Sequence, residues 1–339
     1  MGAPILEEPF TNKFTKKKEI ARGLRGVIRC VEDDKGAKFA AKTIRKTQKG
    51  QNIVDEIEME MRALNVCEGV STVVNLHAVY MTSRDYTFIL DYLPSDLHSE
   101  VEKSGPMKEA EVVQIIRDLL KTLKFLHDRQ IVHLDLKPEN ILIDEERKIY
   151  LCDFGMSKVL QNEKETCRVA GTTEYCSPEQ IQFEPLSTAS DMWSVGVIAY
   201  VLLSKISPFN PAQDGQEKHE TQNAVINCTY DFDDSSWSSR SAESKSFIQT
   251  LLIRAPQKRA SVDEALSHPW IAEKENGVEM AAPPKIIRRL SKRSSSLALL
   301  GDQNLNVSDS SGKASDAAQE ILAAIGELPS KKIKSDSQD

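Results

Sequence analysis

The sequence predicts an α+β protein with two lobes, a small strand-rich lobe followed by a larger helical one. Within the first ~90 residues, short β-branched or alternating segments lie between glycines and surround one amphipathic segment. Between these first ~90 residues and Trp270, most apolar residues recur at helical spacing. Residues 273–339 contain no Phe, Trp, Tyr or Cys, and 11 of these 67 residues are serine. This segment can bury little apolar surface, so we expect a disordered, Ser-rich tail.

Each predicted element follows from its hydrophobic period. Strands are expected in Ile20 to Val31, in Lys38 to Ile44 and in Tyr86 to Tyr92, where β-branched and aromatic residues are frequent. Ile53 to Val66 places its apolar residues on one helical face and predicts the single helix of the small lobe. The helices expected in the large lobe are Val112 to Leu126, Ser190 to Leu203 and Ala242 to Ile253.

Composition narrows the class of protein. The chain has 339 residues and a net charge of −7, which argues against nucleic acid as the main partner. Its six cysteines include no Cys-x-x-Cys pair, so reduced thiols in a cytoplasmic or nuclear protein are expected rather than zinc or disulfides. No apolar run reaches the ~18 residues of a membrane span, and we expect neither a signal peptide nor a membrane anchor.

The most informative stretch is His133-Leu-Asp-Leu-Lys-Pro-Glu-Asn140, followed by Asp153-Phe-Gly155. It resembles the catalytic loop and metal-binding triplet of protein kinases, in the correct order. The resemblance implies that Asp135 orients the substrate hydroxyl and that Lys137 neutralises charge on the transferred phosphate. It also implies that Asn140 and Asp153 bind Mg²⁺, which in turn binds the phosphates of ATP.

Two upstream motifs resemble the phosphate-binding parts of the same family. Phe39-Ala-Ala-Lys42 ends a predicted strand and resembles the lysine motif that contacts the α- and β-phosphates. Glu56, Glu58 and Glu60 are candidates for pairing with Lys42, and Glu60 fits best because Leu64 follows one turn later. The segment with Ala21, Gly23, Gly26 and Ile28 resembles a glycine-rich loop, with alanine in place of the first glycine. By the same resemblance, the ATP pocket is also expected to include Ala40, Leu90, Asp91, Leu93, Leu142 and Cys152.

The downstream motif Gly171-Thr-Thr-Glu-Tyr-Cys-Ser-Pro-Glu179 resembles the end of a kinase activation segment. Thr172 in its Gly-Thr pair suggests serine/threonine rather than tyrosine specificity. The resemblance also assigns structural roles, with Glu179 pairing with Arg259 and Asp191 capping the catalytic loop. The residues expected to line the substrate groove are Asp96, Glu139, Thr172 and Glu174. Their three carboxylates would favour protein substrates with basic residues upstream of the phosphorylated hydroxyl.

The resemblance covers about residues 14–272 and implies the bilobal protein-kinase fold, with an antiparallel N-lobe sheet (14–91) and a mainly helical C-lobe (94–272). Within the calmodulin-dependent-kinase group, the chain is most similar to the death-associated protein kinases and their shorter relatives. The stretches that carry this similarity are Val74 to Tyr80, His133 to Asp135, Asp191 to Ile198, Leu202 to Phe209 and Tyr230 to Asp234. The resemblance implies an ATP-dependent serine/threonine kinase in signalling related to cell death.

Two questions stay open at the level of sequence. The first is whether the chain is instead a pseudokinase scaffold, for which Ala21 and Leu134 are the hints. The second concerns the tail. Its basic segment Pro284 to Arg293 is of the kind that binds calmodulin or an anionic surface, and the alternative is a basic patch that is simply exposed to solvent. Lys331-Lys-Ile-Lys334 fits a short nuclear-localisation pattern, and Ser315 to Leu328 has the spacing of a partner-binding or transient helix.

Overall fold

The computed structural model describes residues 2–23, 26–160, 173–209 and 218–272. The described residues belong to one compact unit that ends at Ala272. The sequence-predicted tail lies outside the described residues.

The N-lobe is built on a six-stranded sheet in the order β1-β7-β8-β4-β3-β2. All neighbouring pairs are antiparallel except β1 and β7, which are parallel. A two-stranded hairpin, β5–β6, precedes the single helix. The elements of this lobe are β1 (Ile5–Leu6), β2 (Thr15–Gly23), β3 (Gly26–Glu32), β4 (Lys38–Arg45), β5 (Thr47–Gln48), β6 (Gln51–Asn52), α1 (Val54–Val66), β7 (Leu76–Met81) and β8 (Asp85–Asp91).

The two faces of this sheet are buried by different partners. Phe88 and Val79 on the inner face belong to the main core, together with the apolar face of α1. On the outer face, Val31 and Ile89 are fully buried in a second, smaller cluster that includes Phe10. The helix α1 lies on the inner face, with one side buried in the core and the opposite side partly exposed.

Gly26 begins β3 where no side chain would fit. A Cβ atom at this position would lie 2.3 Å from the carbonyl oxygen of Thr43 on the neighbouring strand β4. Only glycine therefore allows β3 to approach β4 at the start of this hairpin. The strand predicted over Ile20 to Val31 is thus two strands, which separate at Gly23 and Gly26.

The C-lobe is mainly helical, with short strands next to the cleft. Its core is rich in aromatic residues, and Trp193 stacks on Phe209 with ring centroids 5.3 Å apart. Its elements are β9 (Ser95–Asp96), α2 (Leu97–Ser104), α3 (Glu109–His127), β10 (Ile131–Val132), β11 (Ile141–Ile143), β12 (Ile149–Leu151), β13 (Lys158–Val159), α4 (Pro178–Ile181), α5 (Ala189–Ser204), α6 (Lys218–Asn227), α7 (Ala242–Leu251) and α8 (Val262–Ser267).

The predicted α+β fold with two lobes is confirmed, and most predicted helices end within three residues of the observed bounds. The folded unit begins earlier than the predicted start at residue 14, because β1 and Phe10 are part of the N-lobe. Among the residues that the structure describes, no helix combines the length and apolarity needed to cross a bilayer.

Candidate active site

Lys42 connects the two lobes at the centre of the cleft. It lies on β4, and its ammonium group forms an ion pair with Glu60 of α1 and a second one, at 2.7 Å, with Asp153 of the C-lobe. Glu60 is thus the one of the three candidate glutamates that contacts Lys42, whereas Glu58 lies beside Arg62. Lys42 and Glu60 are both almost completely buried.

The charge of Lys42 is maintained by its partners. Burial disfavours the ammonium form, but the carboxylates of Asp153 and Glu60 outweigh that effect and raise the pKa of Lys42. The lysine is therefore a permanent cation at neutral pH, held at the cleft by groups of opposite charge.

The sequence-predicted catalytic residues lie together on the loop after β10. Lys137 Nζ lies 3.1 Å from the Asp135 carboxylate, and the Asn140 amide donates to the same carboxylate at 2.9 Å and to the Asp135 carbonyl at 2.7 Å. Because Asn140 donates through its nitrogen, its amide oxygen is the atom left to face a cation. The backbone of Cys152 in turn donates to the Asn140 carbonyl, which fixes this loop against β12.

Asp191 supports this loop from below. It is fully buried on α5 and accepts hydrogen bonds from the backbone N–H groups of His133 and Leu134, each at 2.9 Å. His127 Nε2 lies 2.9 Å from the same carboxylate. Burial alone would raise the pKa of Asp191, but the contact with His127 and these donors lower it. A charged carboxylate thus holds the catalytic loop at two consecutive amides.

Asp153 adopts an unusual backbone conformation for a non-glycine residue, with φ 59° and ψ 69°. The conformation is held from both sides, since its carboxylate contacts Lys42 while the following Phe154 is fully buried. The Phe154 ring packs edge-on against His133, with centroids 4.9 Å apart. Strained conformations of this kind persist where surrounding contacts fix them, often at functional sites.

The remaining residues predicted for the nucleotide pocket lie on both sides of the cleft. Ala40 pairs with Leu90 across β4 and β8, and Leu142 lies on β11 of the C-lobe. Ala40, Leu93, Leu142 and Cys152 are partly buried and pack against the main core. Ile28 pairs with Lys42 across β3 and β4, while Ala21 and Gly23 lie on the exposed strand β2.

Two of these residues have side chains whose surroundings limit their chemistry. The Asp91 carboxylate accepts from the backbone and side-chain nitrogens of Asn75, both at 2.8 Å, and lies 2.7 Å from His77. The Asp91 carboxylate is therefore engaged by its neighbours within the N-lobe. Burial and the neighbouring Asp153 raise the pKa of the Cys152 thiol. Cys152 is thus protonated at neutral pH and is a weak nucleophile.

The residues that were predicted to line the substrate groove differ in the contacts that they make. Asp96 caps α2, accepting from the backbone N–H and the hydroxyl of Ser99. Glu174 lines a cavity of about 260 Å³ that is also lined by Glu102, Pro138 and Tyr175. Glu139 lies next to Pro138, and its Oε2 is buried without a hydrogen-bond partner among the described residues. Thr172 lies outside the described residues.

Glu179 and Arg259 form a buried pair below the groove. Arg259 Nη1 lies 2.8 Å from Glu179 Oε1, and Nη2 lies 3.1 Å from Oε2, so the contact is bidentate. Ser190 donates to the same carboxylate at 2.9 Å. Burial opposes the charge, but Arg259 lowers the pKa of Glu179 below its usual value.

The oxygen donors at the cleft suit Mg²⁺ bound together with a polyphosphate. No group of three or more His, Cys, Asp or Glu side chains that could hold a metal by itself occurs in the described part of the chain. Asn140 and Asp153 offer two hard oxygen donors, and Mg²⁺ commonly takes one or two protein ligands and completes its shell with phosphates and water.

The protein kinase domain family matches residues 14–271, which include every residue of this cleft. The chain belongs to the protein kinase family. This kinase is 36% identical over 278 residues to serine/threonine-protein kinase 17A of Oryctolagus cuniculus, covering 79% of its own length and 69% of that protein. It is 32% identical over 294 residues to death-associated protein kinase 2 of Homo sapiens, covering 84% and 78%. The predicted relationship to death-associated protein kinases is thereby confirmed.

Solved structures share the fold of this kinase. The twitchin kinase region from C. elegans superposes with a TM-score of 0.71 at 31% identity, covering 81% of this chain and 49% of that one. Some relatives are much longer, and the kinase spans 38% of the Drosophila melanogaster protein named death-associated protein kinase related. Members of the protein kinase family in general use ATP and Mg²⁺.

Sequence reasoning missed two groups of residues, one on the outer face of the N-lobe and one beside the predicted substrate groove. One is the segment before residue 14, for which Phe10 was the available signal, because an aromatic side chain favours burial. The other is Glu102 with Lys205, which lie 3.7 Å apart at the cavity beside Glu174. Nothing in the sequence spacing brings α2 and the end of α5 together, so this pair could not have been anticipated.

Proposed function

We propose that this serine/threonine protein kinase is catalytically active and transfers the γ-phosphate of ATP to protein hydroxyls, with Asp135 orienting the attacking hydroxyl. The observation that carries the proposal is the pairing of Lys42 with both Glu60 and Asp153. A fixed cation in the cleft supports a role for Lys42 in binding the α- and β-phosphates. A pseudokinase scaffold is not favoured, because the residues that such proteins usually lose are all present, namely Lys42, Glu60, Asp135, Asn140 and Asp153.

Each proposed role follows from the local chemistry. Asp135 accepts or orients the hydroxyl proton, and Lys137 beside it neutralises charge that builds up on the transferred phosphate. Asn140 and Asp153 would hold Mg²⁺, which supplies charge neutralisation at the phosphates when bound. Ala40, Leu90 and Leu142 would form the apolar walls around the adenine.

The direct test is Mg²⁺-dependent transfer of labelled phosphate from ATP to a basic test protein. Asp135→Asn should lower kcat by about 100-fold or more, since it removes the group that orients the hydroxyl. Asp128→Asn, at an exposed aspartate one turn from the loop, is the matched control and should leave kcat unchanged. Wild-type transfer no faster than that of Asp135→Asn would instead support a scaffold.

We also propose that the substrate carries basic residues upstream of its hydroxyl. Support comes from Glu139, whose buried Oε2 lacks a donor, and from Glu174 and Glu102 at the adjoining cavity. A buried carboxylate oxygen without a partner is costly, and a guanidinium from the substrate would satisfy it. Asp96 contributes less, because its oxygens already cap α2.

A peptide library with arginine at single positions tests this substrate preference. Glu139→Gln should reduce the preference for arginine at one upstream position by about tenfold, the loss expected for a charge-assisted hydrogen bond. Glu184→Gln, at an exposed glutamate on the same lobe, should keep the wild-type profile. A wild-type profile without any basic preference would contradict the proposal.

We extend the proposal to the cellular role of the kinase. The similarity to death-associated protein kinases supports a function in cell-death signalling. The basic segment 284–293, one candidate for calmodulin binding, and the nuclear-localisation pattern, 331–334, both lie outside the described residues. Binding of calcium-loaded calmodulin to the full chain, compared with a chain ending at Ala272, tests the first. Cellular localisation of a variant with Lys331, Lys332 and Lys334 changed to Ala tests the second.

A further inference from the structure

Residues 2–14, here called the N-terminal strap, lie almost entirely outside the matched kinase domain, which begins at residue 14. They are nevertheless integrated into the N-lobe. The strand β1 within the strap pairs in parallel with β7, and the backbone N–H of Val79 donates to the carbonyl of Pro4 at 2.9 Å. The strap therefore extends the sheet at the edge that β7 would otherwise form.

The strap is anchored on the outer face of the sheet by aromatic side chains. Phe10 is buried in the cluster formed by Val31, Ala41, Tyr80 and Ile89. Phe14 packs edge-on against Phe39 and Tyr80, with ring centroids 5.5 and 6.0 Å away. Burying one aromatic side chain contributes on the order of 2 kcal/mol, so the strap has a fixed position on the lobe.

The beginning of the strap reaches α1. The backbone N–H of Ala3 donates to Asn65 Oδ1 at 2.9 Å. A Cβ atom at Gly2 would lie only 3.0 Å from Cγ of Asn65, so a larger residue there would crowd this contact. Asn65 follows Glu60 by five residues on the same helix, a distance of about 7.5 Å along its axis.

The contact matters because a hydrogen bond restrains the rotation of α1 more specifically than apolar packing does. Ile57, Met61 and Leu64 pack into the main core, but apolar packing is non-directional and permits small rotations of a helix. At the start of α1, Asn52 accepts from the backbone of Val54, and in the middle Glu60 pairs with Lys42. The bond from Ala3 to Asn65 fixes the remaining end.

We propose that the N-terminal strap is a positioning element for the phosphotransfer reaction, which holds α1 through Asn65 so that Glu60 stays paired with Lys42. Asn65 acts through Glu60 and touches no substrate, so it is a positioning residue. The proposal rests on the proposed kinase function. Hydrogen bonds at both ends of α1 oppose the rotation of the helix that would turn Glu60 away from the cleft.

Two substitutions at one position test the proposal. Asn65→Leu removes the acceptor at nearly constant volume, whereas Asn65→Asp keeps an acceptor for the Ala3 N–H. Asn65→Leu should raise KM for ATP and lower kcat/KM by about three- to tenfold, the effect of losing one hydrogen bond. Asn65→Asp should stay within about twofold of wild type. The control is Asn12→Leu, which removes the exposed bond from Asn12 to Glu8 inside the strap and should change neither constant.

A second measurement does not depend on activity. Hydrogen–deuterium exchange should be faster at the amides of α1 in Asn65→Leu, and unchanged there in Asn12→Leu. Equal exchange in all variants, or equal kinetic constants for Asn65→Leu and wild type, would refute the positioning role. Parallel losses in both Asn→Leu variants would show general destabilisation instead. If wild type itself transfers no phosphate, the proposed function fails, while the exchange data still decide whether the strap holds α1.

Discussion

Leu134 precedes the proposed catalytic aspartate and is held at its backbone and its side chain alike. Its φ is +65°, a conformation rare for a leucine, yet its N–H donates to Asp191 and its carbonyl accepts from Gln180 at 3.0 Å. The side chain is buried with Val132 and Leu186. The catalytic loop is thus ordered by buried hydrogen bonds and apolar packing, with no cation at this position.

We therefore predict that this kinase is active without phosphorylation of its activation segment. In many kinases an arginine at this position pairs with a phosphate on that segment, and Leu134 cannot do so. Phosphatase-treated enzyme, shown by mass spectrometry to lack phosphate, should keep kcat within about tenfold of untreated enzyme (about 1.4 kcal/mol on the barrier). A larger loss would mean that a phosphate on Thr166, Thr172 or Thr173 orders the site through another cation.

A second residue-scale prediction concerns the buried pair of Glu179 and Arg259. Glu179→Gln should lower the free energy of unfolding by about 3–5 kcal/mol at pH 7, because Arg259 would keep a buried charge without its partner. Urea denaturation measures the change, and Glu184→Gln at an exposed glutamate is the control. No change in Glu179→Gln would contradict the structural role.

The pair of Glu179 and Arg259 also makes the free energy of unfolding depend on pH, with a loss of stability in acid. The folded-state pKa of Glu179 is lowered relative to the unfolded value of about 4.3. The ionised Glu179 carboxylate therefore makes its full contribution to the free energy of unfolding above about pH 5. This contribution is lost as the pH falls through the folded-state pKa. The stability difference between wild type and Glu179→Gln should be constant from pH 6 to 8 and should shrink in acid.

At the scale of elements, the end of the folded unit is fixed by specific contacts beyond α8. Trp270 is buried, and its indole N–H donates to Glu109 on α3 at 2.8 Å. Arg117, also on α3, donates to the carbonyl of Ile271 through two nitrogens, at 2.9 and 2.6 Å. The last two core residues are thus tied to the central helix of the C-lobe.

Two truncations should therefore behave differently. A chain ending at Ala272 should fold and keep its basal activity, since it retains Trp270 and Ile271. A chain ending at Ser267 should lose at least about 3 kcal/mol of stability, the cost of removing one buried aromatic side chain. Thermal unfolding of both proteins makes the comparison. Failure of the longer chain to fold would show that residues after 272 belong to the core, and higher activity would show that they are inhibitory.

The elements also show what a sequence can and cannot predict. The helix α3 was predictable because a long apolar period identifies it, and α5 because its apolar run is too long for a strand. The preference for Glu60 over Glu56 and Glu58 follows from the family resemblance. The strand β1 was missed because two residues carry no period, and its pairing with β7 is a tertiary contact. The separation of β2 from β3 depends on the close approach at Gly26, which only three-dimensional structure displays.

On the scale of the whole molecule, Lys42 pairs with Asp153 across the cleft and couples the two lobes at one point. Because nucleotide with Mg²⁺ would contact both lobes there, its binding should stabilise the entire domain. At a concentration of 100 times Kd, the gain should be about 2.7 kcal/mol. Asp153→Asn should abolish most of the Mg²⁺-dependent part of the shift in Tm, and Asp128→Asn should not. A shift that is independent of Mg²⁺ would contradict the assignment of Asp153 as a metal ligand.

The N-terminal strap has a further consequence for the solution behaviour of the protein. An uncovered β7 would present a row of unpaired N–H and C=O groups, and such edges recruit strands from other molecules. The two residues of β1 pair with two of the six residues of β7, and a strand so short is itself a poor template. A chain that begins after the strap should therefore self-associate as its concentration rises, and light scattering should detect oligomers where the longer chain stays monodisperse.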